Sequence, residues 1–128
     1  MTVHIVRLGT DRRPSEGLRI GTVRRPPRGV PKSEYAVKNF YDVWLPLLAP
    51  SPAAVKLALG AKSESEWQRF ARRYRREMLA PDPRATLEVL AALSRQTNFS
   101  VGCYCADESR CHRTLLRQLL IERGARVG

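Results

Sequence analysis

Apolar positions follow a period of two near the start of the chain and again over 99–105, and helical spacing over much of the chain between and after them. Over residues 2–9, Val3, Ile5 and Arg7 fall on one side of an extended backbone and His4, Val6 and Leu8 on the other, before Gly9 ends the run. That period predicts a first strand. A polar loop over 11–17 leads to a second strand over 18–23, where Ile20 and Thr22 are β-branched. Arg24-Arg25-Pro26-Pro27-Arg28-Gly29-Val30-Pro31 follows, and its prolines and glycine exclude a regular helix, so its arginines stand on a stiff, extended loop. Residues 32–39 are polar and carry no clear period. Residues 40–50 are strongly apolar but interrupted by Pro46 and Pro50, which predicts a short strand over 41–45 and an apolar turn. Asp42 within it needs a partner if buried, and an arginine of the proline-rich loop is the nearest candidate.

Helical spacing then takes over. Pro52 opens a helix to about residue 59, which Gly60 stops. Ser63-Glu64-Ser65-Glu66 has the form of a capping box, and Trp67, Phe70, Tyr74 and Met78 continue at steps of three and four as one buried stripe. Arg69, Arg72, Arg73, Arg75 and Arg76 cover the rest of that helix. Asp82-Pro83 reads as a cap and first helical residue, with Leu87, Val89, Leu90 and Leu93 forming the buried face of a helix ending near Gln96. Phe99, Val101, Cys103 and Cys105 then alternate with Ser100, Gly102 and Tyr104 as a buried strand. Asp107, Glu108 and Ser109 interrupt it, and Leu115, Leu116, Leu119 and Leu120 mark a closing helix over about 109–123, with Gly124 as C-cap. Strand, loop and helix alternate without a linker or repeat, as in a single α/β domain spanning residues 1–128.

Composition narrows the partners. Lys and Arg outnumber Asp and Glu by 23 to 12, a formal charge of +11. The surface therefore suits nucleic acid, phosphorylated metabolites or acidic protein surfaces. Three cysteines cannot all pair within one chain, and none is spaced as C-x-x-C, so free thiols in a reducing cytoplasm are the simplest account. The opening residues are too quickly charged for a signal peptide, and no run approaches the roughly 20 apolar residues of a membrane span. The expectation is a soluble cytoplasmic protein that does not engage a membrane.

Every cysteine and one of the two histidines lie in the segment 99–116. Three chemistries compete there. Cys103, Cys105, Cys111 and His112 are four potential zinc ligands. However, two lie two apart on a strand and the other two are adjacent on a helix, where they point differently, so no metal is expected. A reactive thiol at Cys105 or Cys111 is the second: the helix dipole, His112 and nearby arginines favour a thiolate, and a Cys105–Cys111 disulfide across a tight loop stays open. Cys103 reads as packing. The third, and preferred, is an anion site made by the helix N-terminus, His112 as hydrogen-bond donor or proton shuttle, and Arg113 as a bidentate clamp.

Cys-Tyr-Cys-Ala-Asp-Glu-Ser-Arg-Cys-His-Arg, closing a strand and opening a helix, resembles the Cys…Cys-His-Arg signature of the bacterial DUF488 family. The blocks Arg24 to Gly29, Tyr41 to Leu45 with Leu48 to Ser51, Trp67 to Phe70 and Arg73 to Glu77 resemble its short YeaO-like branch. The resemblance implies a compact α/β domain, a mainly parallel sheet of about four strands flanked by helices. It marks Arg24, Arg28, Cys105, Cys111, His112 and Arg113 as site positions. Val23 stands where that branch usually carries an acidic residue, and Pro26 replaces an aromatic. The resulting expectation is a phosphorylated or otherwise anionic small molecule, nucleotides included, bound where the loop after the second strand meets the junction 105–113. Arg24, Arg28 and Arg113 would hold the anion, and Cys111, His112 and Cys105 would carry any chemistry. The rival is a nucleic-acid-binding module using the arginines of 69–76, with structural cysteines.

Overall fold

The central strand of the sheet is buried along its whole length. In the computed structural model, which describes residues 1–105 and 111–128, Phe99–Cys103 (β4) is flanked by Val3–Arg7 (β1) and Leu18–Gly21 (β2), and Val43–Trp44 (β3) pairs with β2. The order is β1-β4-β2-β3 and every pairing is parallel, with Val3 and Leu18 both opposite Phe99 and with Ile5 and Ile20 both opposite Val101. A parallel strand enclosed on both faces must be apolar or small throughout, and β4 reads Phe-Ser-Val-Gly-Cys.

Four helices are described: Pro52–Gly60 (α1), Glu64–Glu77 (α2), Pro81–Leu93 (α3) and His112–Glu122 (α4). The start of the closing helix expected at Ser109, and the polar interruption at Asp107, Glu108 and Ser109, lie outside the described residues. Trp67, Phe70, Tyr74 and Met78 of the α2 stripe are all buried, together with Leu87, Leu90, Leu115, Leu116, Leu119 and Leu120, against Val3, Ile20, Phe99 and Val101. Each such side chain contributes roughly 1.5–3 kcal/mol. The Ser63 side chain caps α2 by accepting the Glu66 amide. In α1, the Ser51 hydroxyl accepts the Ala54 amide and is itself held by the Glu77 carboxylate.

A second cluster gathers Val6, Leu8, Val23 and Cys103 with Tyr35, Phe40, Tyr41 and Tyr104, so the segments after β2 and β4 supply its aromatic rings, and Cys111 at the start of α4 joins it. The backbone there comes very close: an added Cβ at Gly21 would lie 2.3 Å from the Tyr41 ring, and one at Gly17, where φ is +73°, 2.1 Å from the Asn98 carbonyl oxygen.

Two expectations need correction. Asp42 takes its arginine from the loop 11–17, not from the proline-rich loop: Arg12 grips it at 2.7 and 3.1 Å, and the Arg19 amide donates to it at 2.8 Å. Burial pushes its carboxyl up, but these donors outweigh that and hold it below the ordinary value. On α3, Pro83, Leu87, Leu90 and Ala91 face inward, while Val89 and Leu93 are exposed. That helix buries only a narrow stripe, and N-cap Ala80, not Asp82, precedes it.

Candidate functional site

Strand β4 ends at Cys103, and α4 begins at His112 with Cys111 as its N-cap. Cys111 has extended backbone angles, φ −131° and ψ 150°, so its side chain is not bound to the 100° spiral that separates adjacent helical residues. This removes the geometric objection to a joint role for Cys111 and His112. The Cys111 sulfur lies 3.9 Å from His112 Nδ1, and both atoms converge with the sulfur of Cys103 within 4.8 Å. Cys103 therefore faces Cys111, where the sequence pointed to Cys105, because it ends the strand on the face against which α4 packs. Cys105 lies past the strand end and is exposed. The Cα atoms of Cys103 and Cys111 stand 8.0 Å apart. A disulfide usually spans about 4.4–6.8 Å between Cα atoms, yet here the two sulfurs meet in direct contact, 2.50 Å apart.

The state of the imidazole follows from its surroundings. Nε2 lies 2.7 Å from the Thr22 carbonyl oxygen. A carbonyl only accepts, so Nε2 carries the proton and Nδ1 presents its lone pair to the sulfurs. Burial, helped by the Arg113 charge and opposed by the Thr22 bond, pulls the His112 pKa down to about 4, so the ring is neutral near pH 7. Tyr74 packs edge-on against it, with centroids 5.6 Å apart. The arrangement can accept a thiol proton or share an ion between nitrogen and sulfur.

A cleft of about 420 Å³ opens beside this cluster at the carboxyl ends of β2 and β4, the end of a parallel sheet where ligands usually bind. Val23, Pro50, Pro52 and Val55 give it apolar walls, Arg24, Arg25 and Lys56 supply cations, and Cys103, Cys105 and His112 complete the lining. Arg24 also donates to the carbonyls of Pro50 and Ala49 at 3.1 and 3.2 Å, tying the loop after β2 to the start of α1. Tyr104 donates to the Arg25 carbonyl at 2.9 Å.

Two expected ligand-holding residues are placed elsewhere. Arg28 is exposed and does not line the cleft. Arg113 is buried, donates to the Cys105 carbonyl at 2.8 Å and lines a different, polar cleft of about 390 Å³ with Arg7, Arg13 and Arg117. His112 and Arg113 are successive helical residues, so they diverge, and Arg113 fixes the backbone at the strand exit. Sequence reasoning counted Cys103 among the potential zinc ligands but then read it as packing, and it did not single out Arg25 or Lys56. For Cys103 the period-2 register, which sets it on the face of Phe99 and Val101, was a further signal.

The fold and this junction define a parallel α/β domain with a cleft at the strand ends. The chain belongs to the DUF488 family: the family model described as the active DUF488-N3 subclade matches residues 3–124. That match identifies the family and does not bear on the YeaO-like branch. No curated protein and no solved structure matches the chain. Among the described residues, no helix is long and apolar enough to cross a membrane.

Proposed function

We propose that this DUF488 protein binds a small molecule with an anionic group and an apolar body, a phosphorylated nucleoside being the fitting class, in the cleft beside Cys103 and His112. The observation that carries this reading is the pairing of three cations, Arg24, Arg25 and Lys56, with the apolar walls of Val23, Pro50, Pro52 and Val55 in one cleft. The cations hold the anion and the prolines and valines take the remainder. Arg113 acts through the Cys105 carbonyl and Arg28 has no direct part. Three cysteines without a C-x-x-C framework suit the reducing cytoplasm, where we place the protein.

Thermal shift with nucleoside monophosphates tests it. Ligand at 100 times Kd adds about 2.7 kcal/mol and should raise Tm by several degrees. The double variant Arg25→Ala with Lys56→Ala, both exposed residues, should lose that shift while keeping its own Tm. An unchanged Tm in the wild-type protein ends the proposal.

A second reading, a nucleic-acid-binding module, has one observation behind it. Arg69, Arg72 and Arg76 are exposed and share a shallow hollow with Arg73 and Leu57, and these three make no ion pair among the described residues. Arg73 and Arg75 are already paired with Glu77 and Glu122. Binding to a random duplex that falls steeply with salt, and is lost in Arg69→Ala/Arg72→Ala/Arg76→Ala, would favour this reading.

A further inference from the structure

We propose that Cys103, Cys111 and His112 bind a single zinc-class divalent ion, with the fourth coordination position turned toward the cleft. The inference stands apart from the anion reading, since it needs only the three donors. Their ligand atoms lie within 4.8 Å of one another. A tetrahedral zinc ion with bonds of about 2.0–2.3 Å sets its donors about 3.5–3.8 Å apart. The 3.9 Å between Cys111 Sγ and His112 Nδ1 is already close to that span, whereas the two sulfurs, 2.50 Å apart, stand closer than it and part when the ion enters.

Four further observations converge on an ion. The first is the imidazole tautomer: Nε2–H is committed to the Thr22 carbonyl, the way a ligating histidine is commonly oriented, and this leaves Nδ1 as a bare donor. The second is charge. Two thiolates balance a divalent cation, so the buried centre is neutral once two thiol protons have left to solvent. The Cys111 thiolate also lies at the N-terminus of an eleven-residue helix.

The third is burial. Cys103 and Cys111 are 1% and 2% exposed, which suits ligands and disfavours nucleophiles that must reach a substrate. The 8.0 Å Cα separation likewise disfavours a disulfide. The fourth is access: Cys103 and His112 line the cleft, so three protein donors leave one position for water or a ligand oxygen. Two sulfurs and one nitrogen select a borderline-soft ion over magnesium or calcium.

The test uses the reduced full chain in phosphate-free buffer, titrated with cobalt and then competed with zinc. One cobalt per chain is expected, with thiolate-to-metal absorption in the near ultraviolet that zinc bleaches. Cys103→Ser and Cys111→Ser should each weaken binding by about 100-fold or more, whereas Cys105→Ser should change it by less than about 3-fold. Should those variants fail to fold, alkylation of the wild-type protein in urea near its unfolding midpoint, where buried thiols become reachable, gives the same answer: zinc should shield Cys103 and Cys111 and leave Cys105 labelled. Absence of the thiolate band in the wild-type protein, equal loss in Cys105→Ser, or labelling indifferent to zinc would each overturn the proposal.

Discussion

Two buried polar clusters lie along the same sheet, and they differ in how completely their groups are used. In the first, the Arg19 guanidinium, wholly buried, donates to Glu16 at 2.7 Å and to the carbonyls of Thr10 and Asn39 at 2.9 and 2.7 Å. Glu16 also accepts from the Arg13 amide and the Ser100 hydroxyl at 3.1 and 3.0 Å. This cluster is saturated, and it ties the loops after β1 and β2 to the central strand. In the second, two cysteine sulfurs and an imidazole nitrogen gather within 4.8 Å of one another. A saturated cluster fixes a fold; one whose lone pairs converge is equipped to take a guest.

The contrast breaks most visibly at Arg19. Arg19→Met leaves the Glu16 carboxylate buried without its cation and should cost about 3–5 kcal/mol in urea unfolding. A loss as small as that of a surface substitution would show that the cluster is not what ties the loops down.

Acid titration sharpens the same point. Burial pushes Glu16 up, yet its bonds from Arg19, the Arg13 amide and Ser100 outweigh this and hold its pKa below the ordinary 4.5. A carboxyl depressed by folding stabilises fully above its unfolded pKa and loses that contribution as pH falls through the lower, folded one. Unfolding free energy should therefore drop below about pH 4.5, and this limb should shrink in Arg19→Met.

Effects at the second cluster should be smaller. His112→Ala deprives the buried Thr22 carbonyl of its donor and should cost about 1–3 kcal/mol without metal. Cys103→Ala should cost about 1 kcal/mol under the same conditions, because the metal-free thiol only packs. Cys105→Ser, at an exposed position, should stay within about 0.5 kcal/mol of wild type. If Cys103→Ala matched Arg19→Met in metal-free protein, the distinction between fold-fixing and guest-taking clusters would collapse.

Local features were legible in the chain. The Ser63 cap, the stripe Trp67, Phe70, Tyr74 and Met78, the buried run ending at Cys103 and the left-handed Gly124 each depend on neighbours within a turn or a pleat. The resemblance added the parallel sheet. Long-range partners were not legible: Asp42 meets Arg12 across 30 positions, and Glu16 meets Ser100 across 84. At the junction of β4 and α4 the structure brings Cys103, Cys111 and His112 together and places Arg28 and Arg113 away from them. Alternation places Cys103 and Cys105 on the same side, and only the end of the strand separates a buried thiol from an exposed one.

By itself the sequence determined where strands and helices form, which stripe of α2 is buried and that the soft chemistry gathers between β4 and α4, because hydrophobic period, capping and cysteine positions act over a few residues. Tertiary structure decided that Cys103 meets Cys111, that His112 and Arg113 line different clefts, and that Arg25 and Lys56 line the cleft beside His112. Those outcomes depend on the angle at which α4 leaves the sheet and on the loop after β2 folding back to the start of α1, and neither is encoded in local spacing.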